Sequence, residues 1–372
     1  MAILKAVGCL MLLVAMVVAG SRAGGAEPAL AEIAAAQAAS WRQIRSFDVK
    51  YELKMSSVID GQTQFEHTTP CRWSKEGRRE RLRNRLPFIN KPRFTYEDKF
   101  LEGGTLRELS AQGSREDIEA SLLDPASMRA SMRPHASPII AEQRPRTLEY
   151  LEIGFGRHVT LSELIARWKT SLAGKQLAEN GDVLWRIRAE PSGKNENAPS
   201  YIEIWVNADK GFLTQRMHSY HAAGGTSVET GRPVATVETV EIARFRDLGR
   251  GVYFPEIIQC RSGLPAGDAR KQDGFYITLA ATSLLVNAAL PDDALDFRFP
   301  EGAAVQELLQ DGRQGRVFLW GSGDRPQREF ASGEELDAFR TARNADSLLD
   351  AVVGFWISSK GLALTTVARL LF

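Results

Sequence analysis

Hydrophobic positions first recur at helical spacing and then alternate. Residues 28–37 are rich in good helix formers, and Leu30, Ile33, Gln37, Trp41 and Ile44 share one helical face. Phe47, Val49, Tyr51, Leu53 and Met55 then alternate with Asp48, Lys50, Glu52 and Lys54, the pattern of a half-buried strand. Asp60-Gly61 predicts a tight turn into a second strand over 62–73, and Glu76-Gly77 another turn before 78–86. Stretches 94–101 and 106–111, separated by Gly103-Gly104, complete an antiparallel meander.

Residues 112–180 break that rhythm. The pattern predicts a helix over 117–132, a loop over 133–146 marked by Pro134, Pro138 and Pro145, and a helix capped at Thr160 by a box with Glu163. We read this stretch as helices laid over a sheet. Alternation resumes over 183–188, 201–206, 212–221, 234–245, 252–260 and 275–286, with a turn at Ala208-Asp209-Lys210-Gly211. The strand candidates number about eleven. Further on, Ser332-Gly333-Glu334-Glu335 predicts another capped helix. Leu348, Leu349, Val352, Val353, Trp356 and Ile357 form a helical stripe, and 362–372 is apolar again. This tail reads either as packing against the sheet or as an interfacial or partner-binding helix. Its charges speak against a membrane span.

The leader changes where the protein is expected to act. Lys5, an uncharged run over 6–20 and small residues up to Ala26 have the three-part anatomy of a secretory signal, with cleavage after Ala23 or Ala26; a retained anchor is the alternative. Periplasmic or secreted localisation follows. The remaining cysteines, Cys71 and Cys260, then stand either as a disulfide or as two buried thiols.

Charge and composition exclude more than they identify. The 372 residues are 44% hydrophobic and 25% charged, with a formal net charge of +1, which removes the electrostatic case for a nucleic-acid binder. The histidines His67, His135, His158, His218 and His221 show no metal-ligand spacing, and no nucleophile elbow, P-loop or dinucleotide fingerprint is present. The expectation is a non-enzyme without metal or cofactor. One charge cluster stands out: Arg79, Arg81, Arg83 and Arg85 share a strand face, with Arg72, Lys75 and Arg78 nearby. Such a row either binds phosphate or carboxylate or guards an exposed sheet face.

Several phrases together resemble the LolA-like family of periplasmic lipoprotein carriers, with the related RseB-type sensors and LolB receptors. They are the leading helix running into Ile44-Arg45-Ser46-Phe47-Asp48-Val49-Lys50-Tyr51, then Arg72-Trp73-Ser74-Lys75, the segment 204–213, the segment 251–257, and Phe297-Arg298-Phe299-Pro300-Glu301-Gly302 with Val305. They arrive in the family's order across 27–310. The resemblance implies an α+β fold: a strongly curved, unclosed antiparallel barrel of about eleven strands, with helices over its open side. It also implies lipid or lipoprotein acyl chains as cargo and a role in outer-membrane lipoprotein sorting or envelope lipid traffic. An envelope interaction or sensor protein that carries no cargo is the alternative, with the C-terminal helix as the surface for a protein partner. On family grounds Trp73, Trp185 and Trp205 are trough-lining candidates, or ordinary core, and Arg78 stands near the mouth. The expected organisation is a signal over 1–26, a half-barrel over 27–310 with a helical insertion at about 112–180, and a helical extension over 311–372. Insertion and extension have no family counterpart.

Overall fold

A computed structural model describes residues 27–87, 93–135, 160–192, 199–226, 233–263, 274–309 and 313–342. The leader and the stripe over 348–372 lie outside the described residues. Among the described residues one sheet of sixteen strands organises the fold, open at both edges. Strands β1 (Ser46–Ile59), β2 (Gln62–Glu76), β3 (Arg79–Pro87), β4 (Phe94–Glu102), β5 (Thr105–Gly113) and β6 (Arg129–Pro134) form a meander. A second meander runs through β7 (Trp168–Leu177), β8 (Val183–Pro191), β9 (Tyr201–Asn207), β10 (Leu213–Thr226), β11 (Pro233–Asp247), β12 (Tyr253–Gly263) and β13 (Gly274–Val286). The β13–β1 ladder fuses the two antiparallel. Strands β14 (Ala304–Leu308), β15 (Gln314–Gly321) and β16 (Arg325–Phe330) then join through a parallel β14–β6 ladder, so β16 and β7 are the two edges.

The expected open antiparallel sheet with helices is therefore present, but with sixteen strands where the sequence predicted about eleven. The predicted helix over 117–132 is shorter. Helix α2 (Arg115–Leu123) ends before Pro125, and the chain turns into β6. Pro125 forces that change because it cannot donate in a helix interior. The 112–180 stretch accordingly contributes β6 and β7 to the sheet as well as helices, and 311–372 contributes β15 and β16 before the helix over 333–342 (α4).

Helices form where the capping chemistry predicts. Helix α3 (Leu161–Arg167) starts at Thr160, whose hydroxyl accepts from the Glu163 amide (3.1 Å) while the Glu163 carboxylate accepts from the Thr160 amide (2.7 Å). At α4 the Ser332 hydroxyl accepts from the Glu335 amide at 3.3 Å. Helix α1 (Leu30–Arg42) is fixed to the β9–β10 turn: the Gln37 side-chain amide donates to the Phe212 carbonyl and the Thr214 hydroxyl, and the Ser40 hydroxyl donates to the Gly211 carbonyl. Gly211 adopts φ +65°, and a side chain there would collide with Ser40.

Among the described residues a small cluster of Val317, Leu319, Phe330 and Leu336 packs α4 on β15 and β16, and two larger cores lie on opposite faces of the sheet. The larger gathers Ile33 of α1 and Leu161 and Leu164 of α3 with residues of strands as distant in the sheet as β5 and β8. Phe47 of β1 and Phe254 of β12, two strands apart on this face, approach to 5.3 Å between ring centroids, so the sheet curves towards it and this face is concave. The smaller core, on the other face of β4–β6, packs Phe100, Leu109 and Ile118 against Phe297, Phe299 and Trp320. Residues 287–303 cross this convex face as a strap from β13 to β14.

Candidate functional site

Strand pairing builds the concave face one row at a time. Met55 faces Ile277, Ile277 faces Cys260, and Cys260 faces Val240. The same row continues through Met217, Ile204 and Ile187 to Leu172 on the edge strand β7. Cross-strand partners share a face, so one apolar row spans eight consecutive strands. At ~4.8 Å per strand step, that arc is roughly 34 Å long. Helix α1 is pinned at the β9–β10 turn, and α3 packs on α1, β7 and β8. A second row, Leu53–Leu279–Ile258–Ile242, runs parallel to it. Tyr51 adds a polar brace: its hydroxyl donates to the Pro255 carbonyl at 3.0 Å, and burial pushes the phenol pKa well up.

Towards the strand ends away from the β9–β10 turn, an aromatic margin is only half buried. Ser57 of β1 faces Phe65 on one side and Phe275 on the other, and its small side chain lets the two rings approach to 6.0 Å between centroids. His67 lies 5.8 Å from Phe65 and 5.5 Å from Phe94. Composition alone did not single out these residues. Their parity on β2 and β13 was the available signal, because Phe65 and Phe275 fall in phase with Trp73 and Ile277.

Beyond β2 the same face mixes polar residues with Leu82 and Leu106 of the core. Lys75 faces Glu80, Asn84 faces Glu97, and Lys99 faces Glu108. The Lys99 ammonium sits 3.2 Å from the Glu97 carboxylate and 3.9 Å from that of Glu108. Burial holds the Lys75 pKa below its usual value, against the pull of Glu80.

The structure separates the four sequence-predicted residues. Trp73 is fully buried on the concave face, edge-on to Phe47 at 4.4 Å, and its indole N–H donates to Glu80 at 2.8 Å. Trp185 is on the same face, half-buried, with the Lys175 ammonium 5.9 Å from its ring. Trp205 points to the opposite face, since its neighbours Ile204 and Val206 carry the concave row. It packs edge-on against His218 at 4.7 Å, and burial lowers the His218 pKa, helped by Arg216. Arg78 is exposed in the β2–β3 turn. Trp73 and Trp185 thus share a face, and Trp205 does not share it with them.

Both sequence readings of the arginine row give way to a third. It lies on the convex face, where acids from elsewhere in the chain neutralise it. Arg81 pairs with Asp98 (2.6 Å), and its guanidinium also donates to the Asp293 and Asp296 carbonyls of the strap. Arg72 bridges Asp48 (2.7 Å) and Asp293 (2.5 Å), and Arg83 reaches Asp293 at 3.5 Å. Arg85 approaches Glu119 of α2 at 3.9 Å, and Arg79 pairs with Glu76. Hydrogen bonding from Arg72 holds the Asp293 pKa down at about 2. The row fastens the strap to the sheet.

Cys71 and Cys260 are not joined in a disulfide. The ladders place them three strands apart and out of row, since Cys71 faces Tyr51 and Cys260 lies in the Met55–Ile277 row. That is at least ~14 Å, well beyond the ~7 Å limit for a disulfide. Among the described residues no group of three or more His, Cys, Asp or Glu is placed to hold a metal, and no helix is long and apolar enough to cross a membrane.

No family model and no curated protein matches the chain. Among solved structures, a DUF1329 family protein from Desulfovibrio piger ATCC 29098 aligns with a TM-score of 0.39 and 12% identity, over 72% of this chain and 97% of that one. MucB in complex with MucA(peri) aligns with a TM-score of 0.20 and 11% identity, over 70% of this chain and 100% of that one. At these scores neither alignment decides what this chain does.

Proposed function

We propose that this protein is an exported, LolA-like lipid-binding protein that shelters an acyl chain against the concave face and takes part in lipoprotein sorting or envelope lipid traffic without catalysis. The observation that carries this reading is the uninterrupted apolar row from Met55 to Leu172, bordered by the half-buried rings of Phe65 and Phe275. A methylene taken out of water onto such a surface contributes ~0.8 kcal/mol, so a long chain gains enough to bind without any polar anchor. The Phe65–Phe275 margin, half-buried at one end of that face, is where a chain would enter. Export accords with the signal-like leader.

Native mass spectrometry of protein purified from an envelope fraction tests this. Co-purifying lipid that is displaced by added fatty acid supports the reading. Protein that is clean as isolated and also fails to take up both a fluorescent fatty acid and a fluorescent monoacylglycerol contradicts it.

A further inference from the structure

The concave face is not uniformly apolar, and its polar part says what kind of head group an amphiphile on it would carry. Three features meet beside the apolar rows. Thr69 is buried at 4% exposure on β2, and among the described residues its hydroxyl has no hydrogen-bond partner. It faces Leu53 of the second apolar row. Two residues along the same strand, Cys71 faces Asn84, itself 4% exposed, so Thr69 and Asn84 are diagonal neighbours about 7 Å apart. Asn84 in turn faces Glu97, which leads to Lys99 and Glu108.

A buried hydroxyl without a partner is costly, by roughly 1–3 kcal/mol. Its position at the border between apolar rows and polar layer is where an amphiphile's first polar atoms would lie. The charges next to it already answer one another: Lys99 lies between Glu97 and Glu108, and Lys75 faces Glu80. Neither lysine is left over for an anion, and the carboxylates of Glu97 and Glu108 would repel one. Among the described residues, the nearest further cations on this face are Arg133 and the exposed Arg129, on β6 beyond Leu106 and Ser110.

We propose that the concave face takes a lipid whose head group is uncharged or zwitterionic, with an ester, amide or hydroxyl group hydrogen-bonded to the Thr69 hydroxyl and the Asn84–Glu97 layer, and that it discriminates against anionic heads. This rests on the apolar concave face being an acyl-binding surface.

A matched set of ligands with one common acyl chain separates the two claims: a monoacylglycerol, a lysophosphatidylcholine, the free fatty acid and a lysophosphatidic acid, each titrated against the full chain. The monoacylglycerol and lysophosphatidylcholine should bind more tightly than the two anions. Substitution Thr69→Val, which removes only the unpartnered hydroxyl, should weaken the monoacylglycerol about fivefold, with thermal stability unchanged or raised. Glu97→Gln should narrow the gap between neutral and anionic ligands. If no ligand binds, the acyl-binding reading itself fails. If the anions bind as well or better, the head-group inference fails while that reading stands, and loss of their advantage in Arg129→Gln would relocate the head to β6. Unchanged monoacylglycerol affinity in Thr69→Val overturns the hydroxyl's role.

Discussion

Arg81 and Asp98 are joined by two parallel hydrogen bonds, Nε to Oδ1 at 2.9 Å and Nη2 to Oδ2 at 2.6 Å, beneath the strap on the convex face. Both are nearly buried, at 10% and 7% side-chain exposure. A planar guanidinium matched to a carboxylate in this way is geometrically specific. It also keeps Arg81 aimed at the strap carbonyls. Removing one partner leaves a buried charge uncompensated, so Asp98→Ala should destabilise the protein by about 3–5 kcal/mol. The double variant Arg81→Met/Asp98→Leu should recover much of that loss. Urea denaturation midpoints with unchanged slopes check both.

The strap's second attachment makes stability depend on acid. Asp293 has its pKa lowered from 3.8 to about 2 by its hydrogen bond from Arg72. A carboxylate depressed on folding contributes stability at pH values above 3.8, and that contribution is lost as the pH falls from 3.8 towards 2. Glu256, hydrogen-bonded by Arg246, shifts in the same direction. Unfolding midpoints measured from pH 6 to pH 2.5 should therefore fall at the acid end. The fall should be smaller in Asp293→Asn. An identical acid profile in that variant would remove the strap from the explanation.

Phe297 anchors the strap to the sheet. Its ring stacks on Phe100 at 5.7 Å and meets Phe299 edge-on at 5.3 Å, within the smaller core. Phe297→Ala should cost about 3–5 kcal/mol through the cavity it leaves. Because the concave face is on the other side, the affinity of the remaining folded protein for an acyl ligand should be little changed. Denaturation and ligand titration on the same sample separate the two effects.

The two thiols should behave differently towards an alkylating reagent. Burial pushes the Cys71 pKa up to about 12, whereas Cys260 is half-buried. Cys260 should react slowly in the native protein and Cys71 only after unfolding, with a non-reduced mass showing both thiols free. Peptide mapping after timed alkylation reads this out.

Much of the sheet was legible because period-2 alternation survives wherever one face is buried and the other wet. Phe47–Met55 and Ile202–Val206 point to the core as their parity predicts. Of the five strands that escaped, β6, β7 and β16 lack that contrast, whereas β14 and β15 lie in a stretch the sequence reading left without strands. β6 has six residues and ends at Pro134, downstream of a helix-rich run. β7 is an edge strand with few apolar residues, and β16 is mostly exposed. The role of the arginine row was not legible for a different reason. Asp293 lies 221 residues from Arg72, so nothing local to β3 signals that its charges are already matched. Parity also separates Trp205 from Trp185, but only once the β8–β9 register sets Trp185 opposite Val206. Composition treats all tryptophans alike.

Photo-crosslinking with a monoacylglycerol carrying a diazirine near the middle of its acyl chain tests the central claim most directly. Adducts should concentrate on concave-face residues of β1, β2, β12 and β13, with Phe65, Met55, Phe275 and Ile277 foremost, and excess unlabelled lipid should suppress them. Adducts confined to the opposite face around Trp205 and His218, or labelling that unlabelled lipid does not suppress, would contradict the account.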